Sequence, residues 1–548
     1  MYAPKIDKFF NTAGPGIPED HYLLDPLRRI DYDEVRVLID QKRYFVLHAP
    51  RQTGKTTSLL AMVKRINDEG IYNCVYVNVE SAQTARNDVT TGVKTILSRF
   101  ESAIKRILAL SIPDIESIRD KNDGGSMLIE ALESFCAEYD KPLVLFIDEI
   151  DSLVGDTLIS VLRQLRDAYA NRPRFAPISV ILCGVRDIRD YRIHRSDGEI
   201  ITGGSCFNIK AKSLRLGDFS KSDVRELYLQ HTEATGQTFE DDIYQKVWKL
   251  TRGQPWLVNA LANQATWEML EGRIRCNSIT LDMIEEAANQ LIISRATHLD
   301  QLADKLKESR VQIIIAPIVA GENWQDFNEN APQPDDIEYV IDLGLLRREG
   351  VEHGRALVIS NDIYKEIIPR ELTYVMQDNL ASQPAQLWYV GQDGKIDIRK
   401  LLREFQQFFR ENSESWLERF DYKEAGFQLL LQAFLQRIVN GGGFIDREYA
   451  LGRGRVDLLI RWRYPKDVVR ENQKEQRILL ELKVVREKKS VDRILLEGLE
   501  QTDRYADQSN AEEAHLIICD ERPDRKWNEK IYERSEKVGD YEINIWGI

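Results

Sequence analysis

Long apolar runs are missing from this sequence of 548 residues. No apolar stretch approaches the roughly 18 residues that a membrane-spanning helix needs. The first residues, MYAPKIDKFF, also lack the apolar segment that is typical of a signal peptide. Hydrophobic residues make up 43% and charged residues 30%, which is the balance of a soluble globular chain. We therefore expect a cytoplasmic protein that has no membrane partner.

Cysteine is scarce, because only six residues of this type are scattered along the chain and no two form a CxxC pair. That scarcity excludes a disulfide-rich scaffold and a cysteine-based zinc site. We expect the six side chains to be free thiols in the core of a protein in a reducing compartment.

Positive charge is also in short supply. The formal net charge of −14 argues against a protein that binds nucleic acid over its whole surface. Between residues 447 and 490 the balance is reversed, since 13 Lys and Arg stand against 7 Asp and Glu, or 13 − 7 = +6. This segment suggests contact with a polyanion, although a solvated surface loop explains part of the excess.

The length predicts several domains, and changes of pattern along the chain mark their boundaries. Apolar strands alternate with helices in the first part, which predicts a parallel sheet covered by helices. Helical spacing without strong strands follows, and then a mixed segment with helices and a small hairpin. The predicted domains are an α/β core at 1–215, a helical lid at 216–298, a mixed unit at 299–375, and a last domain at 376–548 that begins with a linker.

A phosphate-binding loop is predicted at APRQTGKTT, because this stretch follows an apolar strand and opens a helix. Lys55 would reach the β- and γ-phosphates of a nucleotide, and the Thr56 hydroxyl would bind Mg²⁺. Ala49 stands where the usual pattern has Gly, and we expect this small change to be tolerated. The predicted nucleotide-binding residues of the loop are Arg51, Gln52, Thr53, Gly54, Lys55, Thr56 and Thr57.

An acidic pair at the end of another apolar strand supports the same site. The stretch LVLFIDEID contains Asp148 and Glu149, and Asp148 follows Lys55 by 148 − 55 = 93 residues. Asp148 can hold Mg²⁺ through water, and Glu149 can polarise the attacking water. A strand that merely ends in solvent with acidic residues is the alternative, but the pair and the loop together favour an ATPase.

The loop and the acidic pair resemble those of the ASCE branch of P-loop NTPases, within the AAA+ and STAND-like ATPases. The resemblance covers about residues 1 to 375. It implies a P-loop NTPase sheet with a helical lid, ATP and Mg²⁺ as cofactors, and a homo-oligomer when ATP is bound. It also implies that Asp25 and Pro26 lie near the base, that Arg186 acts as a sensor unless it is a surface arginine, and that Pro255 contacts the adenine.

The helix and hairpin predicted within residues 299–375 suggest a winged-helix-like module. Some winged helices bind DNA, whereas others only pack or serve as hinges. The segment has no basic recognition helix that would decide between the two, so both alternatives stay open.

A second candidate site lies in the stretch RILLELKVVRE near the C-terminus. Glu481 and Lys483 interrupt an apolar strand at positions two apart, so they share one of its faces. The opposite face is apolar and is predicted to face the core. Because Glu and Lys are rarely buried unless they are paired or functional, the strand either lines a cleft or carries an ordinary ion pair.

The residues around this pair resemble the PD-(D/E)xK nuclease family. The preceding strand, GRGRVDLLIRW, carries Asp457, which lies 481 − 457 = 24 residues before Glu481, and Val456 stands where the family has Pro. The resemblance implies a restriction-endonuclease-like α/β domain in which Asp457 and Glu481 bind Mg²⁺ or Mn²⁺. It assigns further catalytic roles to Lys483, which would orient the nucleophile, to Glu424 on a preceding helix, and to Gln501 and Tyr505, which would face the DNA backbone or support the metal site.

Together these domains predict an ATP-regulated, metal-dependent nuclease with DNA as its partner. The order of ATPase, lid, winged-helix-like module and effector resembles that of STAND switches, which suggests by analogy a defence effector against mobile DNA. One alternative is an ATP-driven, oligomerising regulator whose nuclease-like domain only binds nucleic acid or a partner. A DNA-translocating motor is a third, weaker alternative, because helicase motifs beyond the nucleotide-site elements are not recognisable.

Overall fold

The structure, a computed structural model, divides the chain into two compact units. The first consists of Met1–Gln301 with Pro332–Tyr364, and the second of Leu302–Ala331 with Lys365–Ile548. The predicted mixed unit at 299–375 contributes to both of these units, and the boundaries of the four predicted domains remain predictions. The residues described are 8–185, 192–194, 200–202, 207–294, 304–319, 333–351, 354–372, 389–417, 431, 434–435, 444–451, 454–464, 474–485, 491–520, 522 and 525–548.

A parallel sheet forms the centre of the first unit, as the alternation of strands and helices predicted. Its strands are β1 (Tyr44–His48), β2 (Asn73–Asn78), β3 (Leu143–Asp148), β4 (Ser179–Gly184) and β7 (Lys210–Arg215), while β5 (Arg192–His194) and β6 (Ile200–Thr202) form a separate pair. The order in the sheet is β2-β3-β4-β1-β7, and all of its pairs are parallel. One strand, β4, therefore separates the strand before the predicted loop from the strand that ends at Asp148.

Helices cover both faces of this sheet. They are α1 (Tyr32–Asp40), α2 (Lys55–Asp68), α3 (Val89–Leu108), α4 (Ile115–Asp120), α5 (Met127–Glu138) and α6 (Gly155–Ala168). Side chains alternate between the faces of each strand, so neighbouring residues belong to different cores. Val46 and Leu145 pack with α3, α5 and α6, whereas Phe45 and Phe146 pack with α1 and α2.

The strand β7 was not predicted, because its sequence KAKSLR is mostly polar and only Leu214 is buried. It pairs with β1 at the edge of the sheet, where one side of the strand faces solvent. Edge strands carry charged side chains more readily than central ones. Hydrophobic pattern alone therefore identifies the apolar strands β1 to β4 and misses this polar one.

The predicted lid consists of helices in the described residues. They are α7 (Lys221–Thr235), α8 (Ile243–Thr251), α9 (Pro255–Asn263) and α10 (Leu281–Ile293). The side chain of Ser220 accepts a hydrogen bond from Asp223 N, and the Asp223 side chain accepts one from Ser220 N. This reciprocal cap fixes where α7 begins.

The segment after the lid contains the helix and hairpin that the sequence predicts. Its elements are α11 (Ser309–Val319), α12 (Pro334–Asp342), β8 (Leu346–Val351), β9 (Gly354–Ile359) and α13 (Asp362–Leu372). The two strands pair in antiparallel register from Leu346 to Ile359. This arrangement agrees with the predicted elements, and the winged-helix identity of the module remains a proposal.

A mixed sheet forms the second unit. Its strands are β10 (Phe444–Leu451), β11 (Gly454–Tyr464), β12 (Lys474–Val485), β13 (Glu513–Asp520), β14 (Tyr532–Val538) and β15 (Tyr541–Gly547), with helices α14 (Ile398–Leu417), α15 (Val491–Ser509) and α16 (Trp527–Lys530). The order is β10-β11-β12-β13-β15-β14. Thus β12, the strand with the charged pair, is central, antiparallel to β11 and parallel to β13.

Both faces of β12 are covered. Leu480 packs with α14 residues in one core, and Leu479 and Val485 pack with α15 residues in another. Glu481 and Lys483 alternate with Leu480 and therefore lie on the α15 face. The predicted division of the strand into an apolar face and a face with the charged pair is confirmed.

The cysteines and the helices test two predictions, that the thiols are free and lie in the core and that no helix spans a membrane. Cys74, Cys136, Cys183 and Cys519 are buried and free, but Cys276 is exposed, which corrects the expectation that all six lie in the core. Cys206 lies outside the described residues. Among the helices that the structure describes, none is long and apolar enough to cross a membrane.

Gly498 controls how closely α15 approaches the charged pair. A Cβ atom at this position would lie 2.9 Å from Leu516 Cδ1 and 3.3 Å from Lys483 Cγ. We predict that Gly498→Ala lowers the free energy of unfolding of the second unit by about 1–3 kcal/mol, because the added methyl group overpacks this contact. Chemical denaturation measures the change, and Glu500→Ala at an exposed site of the same helix is the control, with an effect of about 0.5 kcal/mol or less. An unchanged stability for Gly498→Ala would contradict the close approach.

Candidate functional sites

The predicted phosphate-binding loop joins β1 to α2. Gln52 and Gly54 have left-handed backbone conformations, with φ of 57° and 75°. Glycine adopts this conformation without the steric cost of a Cβ atom, and α2 begins directly after it at Lys55. The Thr53 hydroxyl donates a hydrogen bond to Pro50 O at 2.8 Å. The N–H groups of the first helical turn are therefore available at the end of a closed loop, where phosphate oxygens can accept from them.

Lys55 is buried beside the two carboxylates that the sequence assigns to the same site. Its Nζ lies 3.4 Å from Glu149 Oε1 and 3.6 Å from Asp148 Oδ1. The Thr56 hydroxyl donates to Asp148 Oδ2 at 3.2 Å. The sheet explains the convergence, because β1 and β3 are parallel and their carboxyl ends lie at one edge. The structure thus brings together the residues predicted to bind phosphate, to hold Mg²⁺ and to polarise water.

The charges of this cluster shift the pKa values of its members. Burial lowers the pKa of Lys55, but Asp148, Glu149 and Asp151 raise it by more, so the ammonium group keeps its charge. Burial raises the pKa of Glu149, while the charge of Lys55 opposes the shift and the neighbouring Asp151 and Asp148 add to it. A carboxylate with a raised pKa is a stronger base, which suits the predicted role of Glu149 toward water.

Tyr76 is a member of the site that sequence reasoning missed. Its hydroxyl donates to Asp148 Oδ2 at 2.9 Å, and Asp148 itself is fully buried. Tyr76 and Thr56 therefore hold the Asp148 carboxylate in one orientation. The available signal was a tyrosine two residues before the end of an otherwise apolar strand, β2.

A cavity of about 120 Å³ adjoins the loop, and we call it the base-side cavity. It is lined by the loop, by the segment that precedes β1 and by the lid. The predicted nucleotide-binding residues among its lining are Gln52, Gly54, Thr57, Asp25, Pro26 and Pro255. The structure therefore places Asp25, Pro26 and Pro255 at one cavity with the loop, and their contacts with a base remain predictions.

Arg29, which also lines this cavity, is another residue that sequence reasoning missed. Its Nη1 donates to Thr53 O at 2.6 Å and to Gly217 O at 3.0 Å. Burial lowers the pKa of Arg29 to about 10, although Asp218 and Asp223 oppose the shift. The side chain thus ties the phosphate-binding loop to the first residues of the lid.

The remaining predicted residues of the nucleotide site are Arg51 and Arg186. Arg51 is exposed at the beginning of the loop. Arg186 lies outside the described residues, so its sensor role remains a prediction.

The second site brings Asp457, Glu481 and Lys483 together. Leu458 faces Leu480 in the antiparallel pair of β11 and β12, so Asp457 and Glu481 occupy the next positions along the two strands. Asp457 Oδ2 accepts a hydrogen bond from Leu482 N at 2.8 Å. Lys483 Nζ donates to Glu481 Oε1 at 2.7 Å. The three predicted residues are therefore neighbours, with Asp457 on β11 and Glu481 and Lys483 on β12.

Glu481 is only 3% exposed, and one of its oxygens is unsatisfied. Its Oε2 is buried and has no hydrogen-bond partner among the residues that the structure describes. Burial and the charge of Asp457 raise the pKa of Glu481 to about 7, while Lys483 opposes the shift. An ordinary surface ion pair does not have these properties, because its carboxylate remains solvated.

The chemistry of this carboxylate pair fits a divalent cation. Mg²⁺ and Mn²⁺ prefer hard oxygen ligands, and a cation between Asp457 and Glu481 would remove the repulsion that raises the pKa of Glu481. In the described part of the chain, no group of three or more His, Cys, Asp or Glu side chains is arranged as a metal site. The predicted additional carboxylate, Glu424, lies outside the described residues.

Gln501 and Tyr505 lie on α15, as predicted, one helical turn apart. Tyr505 is buried in the core between α15 and the sheet, so it does not face a DNA backbone and that part of the expectation is corrected. Gln501 Oε1 is buried without a hydrogen-bond partner in the described structure. The positions of Gln501 and Tyr505 on α15 are therefore compatible with the predicted role of supporting the second site.

We predict that Glu481→Gln makes the apo protein more stable at pH 8. In the wild type, the folded state retains a proton that the unfolded chain, with a pKa of 4.5, releases. The contribution of Glu481 to the free energy of unfolding is therefore fully present below pH 4.5 and is lost as the pH rises through about 7. The neutral amide avoids this loss, and we expect a gain on the order of 1–3 kcal/mol at pH 8 and a much smaller one at pH 5.

Denaturation of the second unit at both pH values measures this gain. Glu500→Gln, an exposed glutamate on α15, is the matched control and should leave the stability unchanged at both. A loss of stability in Glu481→Gln at pH 8 would contradict the assigned charge environment.

Comparison with known proteins is informative for the first site. Residues 38–191 match the family model described as an AAA domain. No curated protein has a sequence that matches this chain significantly. The matched segment contains the loop with Lys55 and the strand that ends at Asp148, and the second site lies outside it.

Solved structures with a similar fold include a Walker-type ATPase of Pyrococcus abyssi, with 14% identity, a TM-score of 0.44, and coverage of 66% of this chain and 99% of that one. Cdc6p from Pyrobaculum aerophilum has 15% identity, a TM-score of 0.34, and coverage of 64% and 96%. The RuvB Holliday junction branch migration motor of Thermotoga maritima has 13% identity, a TM-score of 0.29, and coverage of 62% and 95%. With such low TM-scores, these similarities add no argument to that of the family.

The matched residues and the geometry of the loop establish that this chain carries a P-loop ATPase domain of the AAA type.

Proposed function

We propose that the protein is an ATP-regulated, metal-dependent DNA nuclease, in which the nucleotide state of the ATPase domain controls cleavage by the second unit. The single observation that carries the nuclease assignment is the contact of Asp457, the buried Glu481 and Lys483 on two neighbouring strands. A purely structural ion pair would leave no buried oxygen unsatisfied, whereas Glu481 Oε2 has no partner in the described structure. The excess of Lys and Arg over Asp and Glu in residues 447–490 favours a polyanionic phosphodiester, such as a nucleic acid, over a small phosphodiester.

The residues of the second site have distinct tasks in this proposal. Asp457 and Glu481 would hold the cation, which supplies a water of lowered pKa and stabilises charge at the scissile phosphate. Lys483, with 23% of its side chain exposed, can turn from Glu481 toward the substrate and orient the nucleophile. Leu482 N fixes one oxygen of Asp457, so the other oxygen is oriented before any ligand binds. Gln501 and Tyr505 would support this arrangement from α15, and Glu424 would complete the acidic group.

Contacts between the phosphate-binding loop and the segment of α12 and the β8–β9 hairpin support the regulatory part of the proposal. Asp342, the last residue of α12, has its Oδ1 3.4 Å from His48 Nδ1 at the end of β1. Gly344 lies so close to the loop that a Cβ atom there would be 3.0 Å from Pro50 Cγ. A nucleotide that orders the loop would therefore also favour one position of this segment, as in a STAND-type switch. By analogy of layout, we propose a defence effector that acts on mobile DNA as a homo-oligomer with ATP bound.

A regulator without nuclease activity is the second candidate. The direct contact of Lys483 Nζ with Glu481 Oε1 favours this candidate, because the ammonium group balances the charge of the glutamate without a metal ion. In that case the second unit would bind nucleic acid or a partner protein, and ATP would drive assembly. The two candidates differ in whether loss of Asp457 abolishes a phosphodiesterase activity.

For the ATPase domain, we predict that Glu149→Gln lowers kcat for ATP hydrolysis by about 10²–10³-fold, because the amide cannot polarise water. The affinity for ATP should stay within about threefold of wild type, since Lys55 and the loop remain. Phosphate release and nucleotide titration measure the two quantities. Lys64→Ala, at an exposed ion pair on α2, is the control with unchanged kinetics. Unchanged hydrolysis by Glu149→Gln would show that another group acts on the water.

For the second unit, we predict that Asp457→Asn lowers Mn²⁺-dependent cleavage of plasmid DNA by about 100-fold or more. Asparagine keeps an oxygen that can accept from Leu482 N, so the local structure is retained while a charged ligand is lost. Lys483→Met should have a similar effect. Glu475→Gln, on the same strand and paired with Arg477, should cleave as the wild type does. Cleavage that survives Asp457→Asn would overturn the assignment of this site.

A further inference from the structure

The base-side cavity contains two side-chain oxygens whose hydrogen-bonding capacity is unused. Gln52 and Asn259 both line the cavity. Gln52 Oε1 and Asn259 Oδ1 are buried, and neither has a hydrogen-bond partner among the described residues. A buried acceptor without a donor destabilises the folded protein, so such atoms in a cavity indicate a ligand that donates to them.

The orientation of the Asn259 amide is fixed by its other end. Nδ2 donates to Pro255 O at 2.8 Å, one helical turn earlier in α9. A carbonyl oxygen cannot accept from another carbonyl oxygen, so this bond requires that the amide nitrogen face Pro255. Oδ1 is thereby left as the acceptor end, held by a helix of the lid. The side chain is already positioned before any ligand is bound.

The position of Asn259 indicates which part of a nucleotide it meets. Gln52 and Gly54 of the phosphate-binding loop line the same cavity as Asn259. A triphosphate held by the loop would therefore extend its ribose and base into the cavity and toward the lid. Of the two common purines, adenine carries an amino donor at position 6, whereas guanine carries an oxygen acceptor there.

We propose that Asn259 determines the specificity of the site for adenine, by accepting a hydrogen bond from the 6-amino group through Oδ1. The inference rests on the nucleotide site described above and names a residue that reads the base. A guanine 6-oxo group would face the same oxygen with no proton between them, so two acceptors would repel. A site built to accept from an N–H group discriminates strongly against a ligand that lacks it, because its own acceptor is then left unpaired.

The affinities of the wild-type protein for ATP and for purine nucleotides without a 6-amino group test the proposal. The probes are ATP and purine riboside triphosphate, which has hydrogen in place of the 6-amino group, each titrated with Mg²⁺ by calorimetry. We expect the analogue, and also GTP, to bind about tenfold or more weakly than ATP. Equal affinity for ATP and the analogue would overturn the proposal without the need for any variant. Equal affinity for ATP and 2-aminopurine riboside triphosphate, which also lacks the 6-amino group, would overturn it as well.

A variant then assigns the discrimination to one side chain. In Asn259→Leu, which removes the acceptor but keeps the volume, ATP and the analogue should bind with the same affinity. Asn263→Leu, one turn later on α9 and in contact with Glu268, is the matched control and should retain the wild-type preference. Discrimination that persists in Asn259→Leu would overturn the proposal.

Inorganic tripolyphosphate separates failure of this proposal from failure of the nucleotide site. It should bind the wild type and Asn259→Leu equally, because it occupies only the phosphate-binding loop. If neither ATP nor tripolyphosphate binds the wild type, the nucleotide site itself is wrong and the proposal falls with it. If both bind but the 6-amino group makes no difference, only the role of Asn259 is overturned.

Discussion

A lysine buried between two carboxylates is the interaction on which the first unit depends. Lys55 cannot keep its charge away from water unless opposite charges surround it, and Asp148 and Glu149 supply them. The parallel sheet allows this arrangement, because the carboxyl ends of β1 and β3 lie at one edge and bring the loop and the acidic pair together. Tyr76 and Thr56 then orient Asp148, and Arg29 ties the loop to the lid. Each of these contacts also positions a group that ATP and Mg²⁺ would use.

The same constraint operates in the second unit, where it is only partly satisfied. Glu481 has one oxygen on Lys483 and another that is buried without a partner in the described structure. Burial, together with the nearby charge of Asp457, makes the charge of Glu481 less favourable and raises the pKa of its carboxyl group to about 7. The buried oxygen without a partner distinguishes this site from a strand that carries an ordinary ion pair, and we propose that a cation binds there.

Hydrophobic pattern and loop chemistry were enough to predict strands β1 to β4 of the first sheet and the group around Lys55. They were also enough to place Glu481 and Lys483 on one face of a strand. The edge strand β7 was missed because it is polar, and Tyr76 and Arg29 were missed because their partners are distant in the sequence. Asn259 was missed because the cavity that it lines is formed by segments distant in the sequence. Which distant segments meet depends on packing, and spacing along the chain contains no information about it. Tyr505 illustrates the same limit, since its position on α15 was predicted and its burial was not.

The central claim is that the ATPase domain controls a nuclease in the same chain. The most direct measurement is the rate of Mn²⁺-dependent DNA cleavage by the full-length protein with ATP, with ADP and without nucleotide, at equal metal and salt concentration. We expect cleavage that depends on the nucleotide, with ATP and ADP giving clearly different rates, and its loss in Asp457→Asn. Cleavage at the same rate in all three conditions, or none in any of them, would contradict the account.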